Sequence, residues 1–357
     1  MEKITDIYVE SYTPILPPDT FIRELPISQN AIDTVSSSRK SIRDILDKKD
    51  NRLMVITGPC SIHDRESAQD YARRLKTLIK KVESRFFIIM RVYFEKPRTS
   101  IGWKGLINDP CLDGSCDIES GLRAARGLLL DITGMGVPAA TEMLDTISPQ
   151  YIADLISWSA IGARTTESQT HREMVSGLSM PVGLKNGTDG DLMIAVNGMK
   201  ASASPQKFIG IDSMGRTSIV HTKGNPYTHI VLRGGMRPNY DSVSVNSTIA
   251  LLKKNSLRDS IIIDCSHGNS SKDYRMQPRV WQDVINQRMD GNDSITGLML
   301  ESNIHEGSQA VGDSPENIRY GVSITDACIS WEMTEELIMS TFNYLEQHSG
   351  NGIRFKI

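Results

Sequence analysis

LMVITGPCSIHDRESAQDYARRLKTLIKKVESRFFIIMRVY, residues Leu53–Tyr93, contains one complete structural unit. It opens with an apolar run, Leu53–Gly58, that closes on Gly58-Pro59-Cys60. Asp64 follows in the place of a helix cap. Beyond it, Ala68, Tyr71, Ala72, Leu75, Leu78, Ile79 and Val82 recur at mostly three- and four-residue steps, which puts them on one helical stripe. Phe86–Tyr93 is a second apolar run of strand length. Strands without polar alternation are covered on both faces, so strand, amphipathic helix and strand together predict a parallel βαβ unit.

The rhythm repeats along the chain. Further strands are expected at Ala139–Met143, Ala160–Thr165, Val182–Lys185, His229–Arg233, Ser260–Asp264 and Gly297–Glu301. Helical patterns lie near Asp117–Thr133, Pro149–Trp158, Ser168–Ser176, Asp189–Ala203, Asp241–Lys254, Pro278–Met289 and Trp331–Gln347. Eight such strands predict an α/β fold, a (β/α)8 TIM barrel; an open doubly wound sheet is the alternative. Two segments fall outside the repeat. Residues 1–45 form an N-terminal extension, and residues 208–222 have two β-rich arms around Ser213-Met214-Gly215-Arg216, an inserted hairpin. The expected organisation is one catalytic barrel domain over residues 1–357.

Composition excludes several classes. The 357 residues are 39% hydrophobic and 23% charged with a net charge of −3, which argues against a nucleic-acid or membrane surface. Five cysteines cannot all pair. The first residues lack the basic and apolar regions of a signal peptide, so the expected compartment is the cytoplasm.

Each strand run ends in residues suited to chemistry: Cys60, Arg91, Glu142, Arg164, Lys185, Arg233, His267 and Glu301. Barrel active sites sit at the C-terminal ends of the strands, so these residues would meet at one mouth. One strand-end cation is ordinarily a solvated charge. Arg91, Lys96, Arg98, Lys104, Arg164, Lys185 and Arg233 together, in a net acidic chain, predict phosphorylated ligands, and more than one. Cys60, His267, Glu301 and Asp326 follow strands that adjoin in a closed barrel, and the set suits one divalent ion such as Mn, Fe, Co or Zn. Taken singly, each has a plainer role in packing or capping. Cys111 and Cys116 read best as reduced loop thiols, and Cys265 and Cys328 as packing residues. His63, His171 and His305 are expected to give supporting hydrogen bonds.

The motifs Gly58-Pro59-Cys60-Ser61-Ile62-His63-Asp64, Lys96-Pro97-Arg98-Thr99 and Gly162-Ala163-Arg164-Thr165-Thr166-Glu167-Ser168 stand in order. So do Lys185-Asn186-Gly187-Thr188-Asp189-Gly190, Leu232-Arg233-Gly234-Gly235, Asp264-Cys265-Ser266-His267-Gly268-Asn269-Ser270, Glu301-Ser302-Asn303 and Ser323-Ile324-Thr325-Asp326-Ala327-Cys328. From about Ser38 to Trp331 the chain resembles the class I 3-deoxy-D-arabino-heptulosonate-7-phosphate (DAHP) synthases of the short bacterial and fungal type. These enzymes condense phosphoenolpyruvate with D-erythrose 4-phosphate at the first step of the shikimate pathway.

The resemblance implies metal ligands at Cys60, His267, Glu301 and Asp326. It implies a phosphoenolpyruvate site of Arg91, Lys96, Glu142, Gly162, Ala163, Arg164, Lys185 and Arg233. Arg98, Thr99, Ser100 and Asp326 would meet erythrose 4-phosphate, and Lys96, His267 and Cys60 would be the catalytic residues. An aromatic amino acid would bind at Pro149, Gln150, Met174, Leu178, Ser179, Phe208, Gly210 and Val220, with Asp6 and Ile7 from a partner chain of a homodimer or homotetramer. Phenylalanine-sensitive relatives tend to carry serine where this chain has Gly210, so tyrosine is the expected effector. Two other classes stay open on the residues alone. One is a different phosphosugar aldolase with a Schiff-base lysine; the other is an aromatic-amino-acid sensor without catalysis.

Overall fold

The unit at Leu53–Tyr93 forms as its pattern requires. Strand β1 (Leu53–Gly58) and strand β2 (Phe86–Arg91) pair in parallel, Leu53 against Phe86, with a helix at Arg65–Val82 between them. The Asp64 carboxylate accepts from the backbone N–H groups of Glu66 and Ser67 and satisfies two donors at the start of that helix. Tyr71, Ala72, Leu75, Leu78 and Val82 are all fully buried against the strands.

The computed structural model describes residues 4–312 and 315–348. In chain order the first half holds α1 (Pro18–Glu24), α2 (Gln29–Leu46), β1, α3 (Arg65–Val82), β2, α4 (Ile118–Gly134), β3 (Ala139–Glu142), α5 (Pro149–Ile152), β4 (Trp158–Ile161), α6 (Gln169–Gly177) and β5 (Val182–Lys185). The second half holds α7 (Met193–Ala203), β6 (Lys207–Ile211), β7 (Thr217–His221), β8 (Thr228–Leu232), α8 (Ser242–Lys254), β9 (Ile261–Asp264), α9 (Gln277–Met289), β10 (Ile295–Glu301) and α10 (Trp331–His348). Strands β1, β2, β3, β4, β5, β8, β9 and β10 close into one parallel barrel, and β6 and β7 form a separate antiparallel hairpin. The chain is therefore a (β/α)8 barrel with an N-terminal extension and an inserted hairpin.

Three elements depart from the sequence reading by more than two residues at a boundary. The helix expected over Pro149–Trp158 stops at Ile152, passes through a 3-10 turn at Ala153–Leu155, and gives way to β4 at Trp158. Trp158 leaves the helical stripe because its indole fills the barrel interior and donates to His229 Nε2 at 3.0 Å. Strand β4 accordingly ends at Ile161, so Arg164 stands in a tight turn where the Thr165 and Thr166 amides both bond the Gly162 carbonyl. Helix α7 starts at Met193, after Asp189 and Asp191 fold the preceding residues into turns through the amides of Asp191 and Met193.

Within the extension, α2 forms the barrel floor. Ile42, Ile45 and Leu46 pack against Met54, Ile56, Ile89, Val231, Ile262 and Met299 of the strands.

Candidate active site at the barrel mouth

Arg91 is the last residue of β2 and Glu301 the last of β10, and β1 lies between the two strands. Their side chains meet there: Arg91 Nη2 donates to Glu301 Oε1 at 2.8 Å, with both residues within 1% of full burial. Arg91 also donates to the carbonyls of Pro59 and Cys60 and stacks on the Tyr93 ring, 3.6 Å from its centroid. Burial opposes ionisation of Glu301, yet His267 and Arg91 outweigh it and hold the carboxyl down at about 2. The pair is thus locked in its charged form.

A second buried pair stands opposite. Lys185, the last residue of β5, donates to Asp264 Oδ2 at 3.0 Å. Burial again opposes ionisation, but His267 and Lys185 keep the Asp264 carboxyl well below its usual range. His267 Nδ1 lies 2.9 Å from the same oxygen, too bent for an aligned hydrogen bond, and its Nε2 lies 3.8 Å from Glu301 Oε1.

Between these pairs opens a basin of about 350 Å³. Arg91, Lys96, Arg98, Thr99, Ser100, Glu142, Gly162, Ala163, Arg164, Lys185, Arg233, His267, Glu301 and Asp326 all line it. Cys60 is fully buried beside it, 3.1 Å from Lys96 Nζ and 3.6 Å from Asp326 Oδ2. Lys104 does not join them. It is exposed, and only its carbonyl engages the site loop, accepting from the Lys96 amide at 2.8 Å. Thr188, Ser266, Lys272, Tyr274 and Thr325 also line the basin, and the sequence reading missed them. Asp264 was missed as well; an acidic residue closing an otherwise apolar strand was its signal. Lys272 had none, since a lysine in a Ser-Ser-Lys-Asp loop looks like any solvated charge. A second hollow, of about 430 Å³, opens at the opposite end by Leu53, away from the strand C-termini where barrel chemistry sits.

Ligand atoms of Cys60, Glu301 and Asp326 lie within 4.8 Å of one another. Two donors sharing one ion at about 2.0–2.3 Å are at most about 4.6 Å apart, so the three groups need little or no movement to share a divalent ion. The fit extends to chemistry: one thiol, one buried ionised carboxylate and one exposed carboxylate. His267 stands outside that cluster, close to Glu301 alone. Burial and the Glu301 charge push the Cys60 thiol up, and Lys96 opposes them.

Of His63, His171 and His305, expected to give supporting hydrogen bonds, only His171 makes them through its ring among the described residues. His171 Nε2 bonds the Leu144 carbonyl and Nδ1 meets Ser168 Oγ, which ties the β3 loop to α6. His63 has no hydrogen bond from either ring nitrogen among the described residues. Cys111 and Cys116 are exposed thiols, and Cys265 and Cys328 are buried.

The expected effector positions gather on one flank. Tyr151 in α5 donates to the Leu16 carbonyl at 2.9 Å and packs edge-on against Phe21 of α1. Asp19 N bonds Ser213 O in the hairpin turn, and Ser176 of α6 shares a hydrogen with Thr222. Pro149 and Gln150, Met174 with Leu178 and Ser179, and Phe208, Gly210 and Val220 therefore belong to elements that this network ties together. Phe208 pairs with Val220 across the hairpin. Asp6 accepts from Tyr12 on an exposed arm, and Ile7 is 56% exposed.

A barrel mouth that gathers cations for phosphate beside a thiol and carboxylates for an ion defines a (β/α)8 enzyme of phosphorylated substrates. The sequence model of the DAHP synthetase I family matches residues 24–339, and the chain belongs to that family. It is 54% identical to the Tyr-sensitive phospho-2-dehydro-3-deoxyheptonate aldolase of Escherichia coli K12, over 94% of this chain and 95% of the relative. It is 49% identical to the Phe-sensitive enzyme of the same bacterium, over 97% and 98%. A solved structure of the phospho-2-dehydro-3-deoxyheptonate aldolase of Francisella tularensis SCHU S4 superposes with a TM-score of 0.92 at 46% identity, covering 95% of this chain and 98% of the other. The family acts at the first step of the shikimate pathway, is metal-dependent, and has isoforms sensitive to aromatic amino acids. Among the described residues no helix is long and apolar enough to cross a membrane.

Proposed function

We propose that this mouth holds phosphoenolpyruvate and D-erythrose 4-phosphate side by side and joins them, with water, into DAHP and phosphate. One observation carries the proposal. Six cations from four strand ends (Arg91, Lys96, Arg98, Arg164, Lys185 and Arg233) face one basin in a chain of net charge −3. Arg91 and Lys185 are paired with Glu301 and Asp264, but Lys96, Arg98, Arg164 and Arg233 have no ion pair among the described residues and repel one another; a carboxylate and two phosphates relieve that repulsion.

Arg91, Lys96, Arg164, Lys185 and Arg233 are assigned to phosphoenolpyruvate, whose leaving phosphate they stabilise as the C–O bond breaks. Gly162 and Ala163 form its wall. A Cβ at Gly162 would collide with the Glu142 carboxylate, so glycine keeps that wall close. Glu142 Oε1 is buried with no protein partner, an acceptor suited to a bound hydroxyl or water. Arg98, Thr99 and Ser100, with Asp326, are assigned to erythrose 4-phosphate.

Cys60, His267, Glu301 and Asp326 would hold the divalent ion (Mn, Fe, Co or Zn), which when bound supplies Lewis-acid polarisation of the aldose carbonyl. Lys96 is assigned the proton donated to the aldehyde oxygen as C3 of phosphoenolpyruvate attacks. Burial alone would lower its affinity for that proton; Cys60, Glu301 and Asp326 outweigh burial and raise it. The test is phosphate release from phosphoenolpyruvate. Release that requires erythrose 4-phosphate and stops with a chelator is expected. Release without the aldose, or a borohydride-trapped lysine adduct, would overturn the assignment, and so would near-normal turnover in Lys96→Met.

Tyrosine is the proposed effector. A Cβ at Gly210 would stand 2.9 Å from Val220 Cγ2 and 3.6 Å from the Phe208 ring, so any side chain there takes space from a larger ligand. The extension (1–45) and the hairpin (208–222) are assigned regulatory and oligomer contacts. Exposed Ile4, Ile7, Tyr8 and Ile209 with Ile219 are apolar surface that a partner copy in a homodimer or homotetramer would cover, bringing Asp6 and Ile7 to the effector. Five free cysteines among the described residues suit the reducing cytoplasm.

A further inference from the structure

We propose that Asp264 is a positioning residue that couples the two halves of the site, holding Lys185 on the phosphoenolpyruvate side and His267 on the ion side through one carboxylate oxygen. This rests on the reading of the mouth as adjoining phosphoenolpyruvate and ion sites. Asp264 closes β9, is fully buried and does not line the basin, so it acts only through its neighbours. Its Oδ2 accepts from Lys185 Nζ at 3.0 Å and lies 2.9 Å from His267 Nδ1. Its Oδ1 accepts from the Ser266 amide at 3.0 Å, which fixes the other end of the carboxylate.

His267 has a φ of +55°, a left-handed conformation uncommon outside glycine. The charge of a carboxylate 2.9 Å from Nδ1 favours the proton on that nitrogen even without an aligned hydrogen bond, which leaves Nε2, 3.8 Å from Glu301 Oε1, to face the ion cluster. Because Lys185 and His267 share one oxygen, a shift of the ring toward an ion alters the partner of Lys185. Phosphoenolpyruvate and the ion then change each other's affinity by the same factor.

Cobalt(II) titration, read by its visible absorption, and phosphoenolpyruvate calorimetry on metal-free and cobalt-loaded protein test this without turnover. Asp264→Asn keeps the side chain's shape and removes its charge. It is expected to weaken cobalt binding about 10–100-fold, alter the absorption band, and bring the ratio of the two phosphoenolpyruvate affinities to one. In a His267→Ala background, Asp264→Asn should cost no further cobalt affinity. Wild-type cobalt affinity in Asp264→Asn, an additive loss in the double variant, or a ratio of one in the unaltered protein overturns the coupling. Failure of the unaltered protein to bind cobalt or phosphoenolpyruvate sinks the underlying site reading instead. Should Asp264→Asn not fold because Lys185 is left unpaired, Lys185→Gln with Asp264→Asn, measured against Lys185→Gln alone, gives the same cobalt comparison.

Discussion

The two ends of this barrel share eight strands and have opposite chemistry. At the floor, α2 presses Ile42, Ile45 and Leu46 onto Met54, Ile56 and Ile89, and the buried polar pair there, Trp158 with His229, is neutral. Burial holds His229 down at about 3, so it carries no charge at physiological pH. At the mouth, Arg91, Glu301, Lys185 and Asp264 are buried and charged. The floor therefore stabilises the fold by removing apolar surface from water. The mouth keeps charges that a hydrophobic replacement could match or better in stability, which marks them as retained for binding.

The sharpest break between the two ends comes from Arg164→Ala. Arg164 is exposed and has no ion pair among the described residues, so its loss should leave the thermal midpoint unchanged. Loss of a phosphate contact that strengthens as the leaving group departs should lower kcat/KM for phosphoenolpyruvate about 10²–10³-fold. Equal thermal destabilisation would remove the distinction. Ile45→Ala tests the floor in reverse. A cavity there should cost about 2–5 kcal/mol in urea unfolding, with KM for phosphoenolpyruvate unaltered.

Glu95 sharpens the comparison through pH. It is buried one residue before Lys96, accepts from Ser148 Oγ at 3.0 Å, and is raised to about 7, first by burial and then by Asp145. Between the unfolded carboxyl value and about 7 the folded protein binds the extra proton. Stability from this group is complete below that window and is lost as pH rises through about 7. The span corresponds to about 3 kcal/mol. Glu95→Gln should flatten that fall in unfolding measurements from pH 4.5 to 8; an unaltered slope would place the titration elsewhere. The smallest effect is expected in the hairpin, outside the barrel sheet. Gly210→Ser should weaken tyrosine inhibition about tenfold and leave uninhibited turnover unchanged, and stronger inhibition by phenylalanine or tryptophan than by tyrosine in the unaltered enzyme would break that assignment.

Legibility followed the same division. The strands were readable because burial on both faces leaves an apolar run with chemistry at its end, as at Phe86–Arg91 and Ile261–Asp264. Helix α2 has its buried residues at three- and four-residue steps, but nothing in that stripe says which surface it will cover. Trp158 reads as the end of a helix from its neighbours, and only the barrel interior shows why it begins a strand.

Residue types and their order along the chain determined the eight-unit rhythm, the basic mouth and the family motifs, since these depend on local periodicity and charge. Tertiary structure decided that Asp264 lies under both Lys185 and His267, that Lys104 turns away, and that Cys60, Glu301 and Asp326 converge more tightly than His267 joins them. Those outcomes depend on strand register and loop path, which place atoms from distant segments within a few ångströms and leave no local trace in sequence.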